Sequence, residues 1–572
     1  MNINTINLLM FRFSAEDRNY DKYRIYNNDT GEVIETEKHP TEIKLFNFDI
    51  FTLHDGNIEI INSPCRVGTI SGVLVLDKLQ TYGKHKDKFI YKCVPDDCRI
   101  PIFLVPFKPK IGFKKKIENR YVVIKFNHWD DKHPFGQIVH NIGVVSDLSS
   151  FYEYQLYCKS LYASIQRFNK DTRKKLREYT GDEVIKNIVN QYNVEDRLDR
   201  TVISIDPQES RDFDDAFGFI RGENESILTI YIANVPLWLD YLELWGSFSE
   251  RIATIYLPDR KVPMLPTVLS DDLCSLKEGV NRFAVSLDIF INNKTGEIIK
   301  SNLKNTIINV TSNLRYDTKK QESNNLYKDI LRVTKLINKG GCYTETIRSS
   351  HDVVACLMIL MNNICATQLY ESKQGIFRTM SLKLNDNETG VKDADIKRFL
   401  DIWNSNGSNY CKWDIASSHD MLRLDRYIHI TSPIRRLVDL LNIIIIQTLG
   451  KVTSFGKEAE TFCNKWTTDE NIKMINETMR SIRKVQNNCS LLNMCSNNPE
   501  MFLSSHEGYI FDKITRTDNL YQYQIYFKRI KIASKLITSS NLPINTFQKF
   551  KIHYFMDEGR LYKKLRLSVA DA

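Results

Sequence analysis

Twelve cysteines are scattered through the chain, yet none forms a C-x-x-C pair. The closest spacings are Cys93/Cys98, Cys356/Cys365 and Cys489/Cys495, and no histidine stands where it would complete a zinc set. The opening stretch lacks a basic segment followed by a long apolar run, so no secretory leader is expected. Free thiols in a reducing compartment follow. Long hydrophobic runs are also missing. The strongest, "LVDLLNIIIIQTLG", contains Asp439 and Asn442 and is too short to cross a bilayer. No solenoid repeat is present, and no D-x-D-x-D-G loop of the EF-hand type. These absences leave a soluble intracellular protein with no membrane partner. A cytoplasmic place is expected, and a nuclear, organellar or viral origin is compatible with it.

What is present is a basic balance and one acidic loop. Lys plus Arg number 79 against 70 Asp plus Glu, over 572 residues that call for two to four domains. "FKPKIGFKKKIENRYVVIK" places Lys114, Lys115 and Lys116 among Phe107, Phe113 and Tyr121. Cations interleaved with aromatics suit a phosphate backbone and stacked bases, and a solvated surface loop is the competing reading.

Residues 1–150 read as short β-branched and aromatic runs broken by turn chemistry, the pattern of small barrels. Residues 151–200 turn helical, 201–500 form a large mixed domain, and 501–572 return to alternation. In "YQYQIYFKRIKI", Tyr521, Tyr523, Ile525 and Phe527 share one face. A polar stretch near 385–410 reads as a loop or insertion.

"ISIDPQESRDFDDAFGF" gathers Asp206, Asp212, Asp214 and Asp215 behind a strand that Pro207 ends. Carboxylates this close repel one another unless a cation neutralises them. Hard oxygen ligands at short spacing suit Mg²⁺ or Mn²⁺ with substrate phosphate. Alone, a solvated acidic turn would explain the loop equally well.

The loop resembles the signature of the ribonuclease II/ribonuclease R (RNB) family of hydrolytic 3′→5′ exoribonucleases. "ATIYLPDRKVPMLPTVLSDDLCSL" and "YIHITSPIRRLVDLLN" are similar to two further family blocks, in the same order. "FNHWDDKHPFGQIVHNIGVVSD" resembles the end of the cold-shock barrels that precede the catalytic domain. The resemblance implies a multidomain α+β fold: N-terminal OB/cold-shock-like β-barrels, a central mixed α/β RNB catalytic domain and a C-terminal OB-type β-barrel. It implies degradation of single-stranded RNA to nucleoside 5′-monophosphates. Asp206, Asp212, Asp214 and Asp215 would form the metal and catalytic centre, Asp214 being the one whose loss stops cleavage. Tyr256 would stack on terminal nucleotides, and Arg435 would contact the scissile phosphate.

Arg435 also has an argument from its own segment. Ser432 reads as an N-cap and Pro433 as the first helical position, which puts Arg435 in a helix's positive first turn. Asp271 and Asp272 read as structural or RNA-positioning, Arg436 and Asp439 as an i,i+3 pair, and Arg378 as an RNA contact or a buried ion pair. The chain departs from the family pattern at Tyr231, Asn234, Ile443 and Ile482. Two other functions therefore stand beside the enzyme: a catalytically weakened homologue serving as an RNA-binding or assembly subunit, and an exonuclease acting mainly on DNA.

Overall fold

The structure is a computed structural model that describes residues 9–35, 38–54, 57–109, 117–178, 181–381, 393–404, 408–502, 504–516, 518–557 and 563–570. The chain divides into two compact units, residues 1–162 together with 485–572, and residues 163–484.

In the first unit, an antiparallel five-stranded sheet runs in the order Val33–Ile34, Tyr23–Asn27, Met10–Ala15, Ile50–His54, Asn57–Asn62. A second sheet closes on itself. Thr69–Leu74 pairs with Arg120–His128 on one side and with Lys88–Pro95 on the other, so the ring leaves those strands no free edge. Phe13, Phe46, Phe51, Phe103 and Ile124 bury one apolar cluster across both sheets. Near the C-terminus, five antiparallel strands run in the order Ile532–Thr538, Tyr521–Phe527, Ser505–Thr515, Thr546–Met556, Lys563–Val569. Tyr523, Ile525 and Phe527 are buried there on the face the alternation predicts.

The second unit is built on a seven-stranded mixed sheet. Its order is Glu195–Asp196, Ile298–Asn309, Asn281–Asn292, Glu225–Ala233, Asp215–Ile220, Ile203–Asp206, Ser312–Arg315. Both faces are covered, so successive residues of one strand enter different cores. Leu228, Ile230 and Ile232 pack against the helices Asn325–Ile337 and Ser350–Glu371. Tyr231 and Ala233 face the cluster around Val235–Tyr241 and Lys457–Trp466. Leu437–Leu449 contributes to both clusters, which explains why it is apolar nearly all round. Ser350–Glu371 has the length and hydropathy of a membrane span, but Val353, Leu357, Leu360 and Leu369 are buried in the protein core.

Two expectations are corrected. The region 385–410 contains a helix, Ala394–Asn404, and a strand, Asn409–Lys412. Ile396 and Leu400, four apart, bury one face of that helix. The segment after Thr431 begins as turns, and its helix starts only at Leu437.

Candidate active site

The strand Ile203–Asp206 is buried throughout and delivers Asp206 to the end of the sheet. Residues 207–214 then loop outward, and Asp215 is already the first residue of the next strand. Only Asp212 and Asp214 of the four therefore lie in the loop itself. Its path is fixed from outside: Ser275 Oγ accepts from Phe213 N at 3.0 Å and donates to the Arg211 carbonyl at 3.0 Å. Leu276 N donates to the Phe213 carbonyl, and the Arg315 guanidinium to the Pro207 carbonyl at 2.8 Å.

Asp214 is buried and doubly held. Its Oδ1 accepts from Ile434 N at 3.0 Å and its Oδ2 from Arg435 Nε at 3.0 Å. Asp206 accepts from Ser204 Oγ at 2.7 Å. Asp215 Oδ2 is buried without a hydrogen-bond partner. Burial raises the pKa of Asp206 to about 7, and the neighbouring Asp214 adds to the rise. Burial lifts Asp214 to about 6 against the pull of Arg435. Burial, with Asp206 and Asp214 beside it, drives Asp215 well above the carboxylate range. These three acids share one desolvated volume and resist being charged together.

Asp212 stands apart from them. Its Oδ2 accepts from Tyr256 Oη at 3.2 Å and lies 3.4 Å from Lys261 Nζ, which reaches Asp271 at 2.8 Å. Tyr256 and Lys261 face each other across the short hairpin Ile255–Tyr256/Lys261–Val262, and Tyr256 is 41% exposed. Asp272 pairs with Arg282. Asp206 and Asp214 are buried and Asp215 is half-buried beside them, whereas Asp212 stands apart, held by Lys261 and the Tyr256 hydroxyl. Lys261 was not singled out in the sequence. Its lysine among the prolines of "LPDRKVP" gives no sign of a cross-strand partner.

Arg435 reaches the trio by another route than a helix start. Thr254 N donates to the Arg435 carbonyl and Leu437 N to the Ile252 carbonyl, so residue 436 is drawn out as an extended bridge to Ala253. Ser432 caps no helix; its Oγ accepts from Arg435 Nη2 at 2.8 Å, and its N–H donates to Asp439. Asp439 also accepts from Arg436 at 2.8 Å, as the i,i+3 spacing predicts. The turn's Ile434 N–H is buried and given to Asp214 instead of to a ligand.

Asp206, Asp212, Asp214, Asp215, Tyr256, Lys261 and Arg435 line an open cavity of about 1090 Å³ in the second unit. Asp206, Asp214, Asp215, Arg435 and Lys261 form its charged side, and Val354, Ala355, Met358 and Ile359 of one helix form an apolar side. Phosphate chemistry suits the first, and a sugar or base face the second. Among the described residues no three His, Cys, Asp or Glu side chains close around a common ion position. Arg435 and Lys261 take up the carboxylates of Asp214 and Asp212 in that arrangement. The donor chemistry of Asp206, Asp214 and Asp215 still fits a hard divalent ion, above all through the partnerless Asp215 oxygen. Tyr231, Ile443 and Ile482 are buried and belong to the cores.

Lys114, Lys115 and Lys116 lie outside the described residues. In the closed barrel of the first unit, however, a groove of about 610 Å³ is lined by Lys86, Lys88, Lys108, Phe107 and Phe135. His128 stacks on Phe135 with ring centroids 4.9 Å apart. Among the described residues of the basic–aromatic stretch, Phe107 and Lys108 reach it.

An RNB-domain family profile matches residues 194–326, and a Dis3-like cold-shock domain 2 profile matches residues 90–153. Residues 194–326 are thus an RNB domain. Ribonuclease R of Mycoplasmopsis pulmonis is 36% identical over 147 residues, 26% of this chain and 20% of that protein. The fold is similar to RNase R of Mycoplasma genitalium in complex with ribose methylated single-stranded RNA. That likeness has a TM-score of 0.70 at 15% identity, covering 98% of this chain and 100% of the other. Yeast Ssd1, a pseudonuclease, is similar with a TM-score of 0.60 at 12% identity, covering 95% and 80%. The matches span between 20% and 59% of the length of the first curated relatives.

Proposed function

We propose that the chain is a metal-dependent hydrolytic 3′→5′ exoribonuclease that releases nucleoside 5′-monophosphates from single-stranded RNA. One observation carries this reading: three neighbouring carboxylates, Asp206, Asp214 and Asp215, share a cavity with Arg435 and a half-exposed Tyr256. The RNB-domain match and the likeness to ribonuclease R support the same reaction class, in which dependence on a divalent ion is general. Asp206, Asp214 and Asp215 are the residues to hold Mg²⁺ or Mn²⁺, whose contribution when bound is to neutralise them and polarise a phosphodiester. Asp212 serves beside them by fixing the Tyr256 hydroxyl. Arg435, oriented by Asp214 and Ser432, presents guanidinium N–H groups to the charge that grows on the scissile phosphate. The Tyr256 ring offers a base-stacking plane that favours no sequence. Val354 and Met358 give the cavity an apolar lining suited to a sugar or base face.

A second reading, an RNA-binding homologue without turnover, has its support in Tyr231, Ile443 and Ile482, which supply no carboxylate or imidazole to the cavity. One experiment separates the two. Chromatography of the products from a single-stranded RNA is expected to show 5′-mononucleotides in Mg²⁺ or Mn²⁺, none in chelator, and recovery on adding metal back. Intact RNA in every sample, with binding retained, contradicts the enzyme and favours the second reading. A matched DNA strand in parallel measures the preference for ribose.

A further inference from the structure

We propose a second anion-binding site, formed by Arg378, Arg480 and Arg483, that holds the phosphate backbone of the strand upstream of the cleaved end. The proposal rests on the reading of the cavity as an exoribonuclease site.

Three pieces of geometry bring the arginines together. Arg378 and Tyr410 are register partners in the ladder Ile376–Thr379/Asn409–Lys412, and the guanidinium lies 5.1 Å from the ring centroid. Asn476 clamps the backbone of Tyr410 from both sides, accepting from its N–H at 2.7 Å and donating to its carbonyl at 2.8 Å. That clamp sets one face of the long helix Asp469–Asn497 against the ladder. Arg480 and Arg483 follow at i+4 and i+7 from Asn476, hence on that same face.

The three charges are uncompensated. Nearby Arg436 pairs with Asp439 and Lys412 with Asp469, but among the described residues no carboxylate lies within ion-pair distance of Arg378, Arg480 or Arg483. Glu477, one turn before Arg480, makes no such pair. Burial, followed by the repulsion of Arg378 and Arg480, lowers the pKa of Arg483. The imidazole of His429 is held neutral by its burial and by Arg436 and Arg378. Guanidinium groups gathered on one face without carboxylate partners are matched by an anion with several oxygens, and a planar fork suits phosphate best.

The cluster also adjoins the cavity. Tyr410 Oη and His429 Nδ1 are 2.8 Å apart, and His429 lines the cavity that contains the aspartates. A strand whose last phosphodiester reaches Asp214 therefore has its preceding phosphates within reach of these arginines. Nothing in the carboxylate chemistry requires a second cationic site at this place.

The test reads binding and turnover separately. Fluorescence anisotropy of a labelled single-stranded RNA in chelator, over a range of salt, compares wild type with Arg480→Gln/Arg483→Gln and with the charge-keeping Arg480→Lys/Arg483→Lys. The Gln pair is expected to weaken affinity and to flatten the dependence of log Kd on log salt by about 1.4, two counterions' worth for a single strand. The Lys pair should keep the wild-type slope. A short oligonucleotide confined to the cavity should bind both variants equally, and kcat at saturating long RNA should not change. Equal slopes for the Gln pair and wild type overturn the site. Wild type that binds RNA without cleaving it refutes the exoribonuclease reading alone, and the slopes still decide the arginines.

Discussion

Asp214 is 3% exposed, and its two oxygens are claimed by a backbone N–H and a guanidinium. Replacing Arg435 with Lys keeps the charge but loses the Nε contact to Asp214 and the planar fork. The expected result is a fall in kcat of about 10²–10³, with RNA affinity changed less than tenfold, read by single-turnover kinetics. His419 is 3% exposed, and its pKa falls to about 4 through burial and the Arg378 charge. Above about pH 6.5 both folded and unfolded states are neutral there and its contribution to stability is complete. Between 6.5 and 4 the unfolded chain binds a proton that the folded chain refuses, so stability falls with pH by up to about 3 kcal/mol. Denaturant titrations of His419→Gln should show a flatter acid limb than wild type; identical limbs would contradict the assignment. The identities of Asp206, Asp214, Tyr256 and Arg435 were legible because each lies in a short motif. That Arg435 binds Asp214, more than two hundred positions away, or that Lys261 claims Asp212, was not. Spacing along the chain is silent about contacts of that range.

At the scale of elements, the acidic loop is held less by its own residues than by "DDLCSL". Ser275→Ala would leave the Phe213 N–H buried without a partner, at a cost of about 1–3 kcal/mol. Thermal denaturation is expected to show the lower stability, and the loosened loop to lower kcat more than it raises KM. Unchanged kcat would mean the loop keeps its path without Ser275. The strand before Pro207 and the alternation in "YQYQIYF" were readable from period and turn chemistry alone. The helix start near Ser432 was not, since Ser-Pro there satisfies every local rule for an N-terminus. The decisive force is a β-bridge from Arg436 to Ala253, a contact no capping rule contains. The helix Ala394–Asn404 was hidden in the same way: Asn and Gly around it outweighed the two buried positions, Ile396 and Leu400, that define its face.

In the whole molecule, each unit offers phosphate chemistry of its own. The closed barrel has an aromatic groove flanked by Lys86, Lys88 and Lys108, and the second unit combines carboxylates with arginines in one cavity. The barrel's closure depends on Thr69–Leu74 meeting Lys88–Pro95, and that register was visible only as a run of short strands. The account stands or falls on what the aspartate trio does to the end of a strand. The most direct measurement is a time course on single-stranded RNA labelled at its 5′ end, in Mn²⁺, with wild type beside Asp214→Asn. Wild type should shorten the label progressively to a small 5′ fragment, while Asp214→Asn binds the same RNA and leaves it whole. Equal shortening by both proteins, or a loss of label from the 5′ end first, would contradict it.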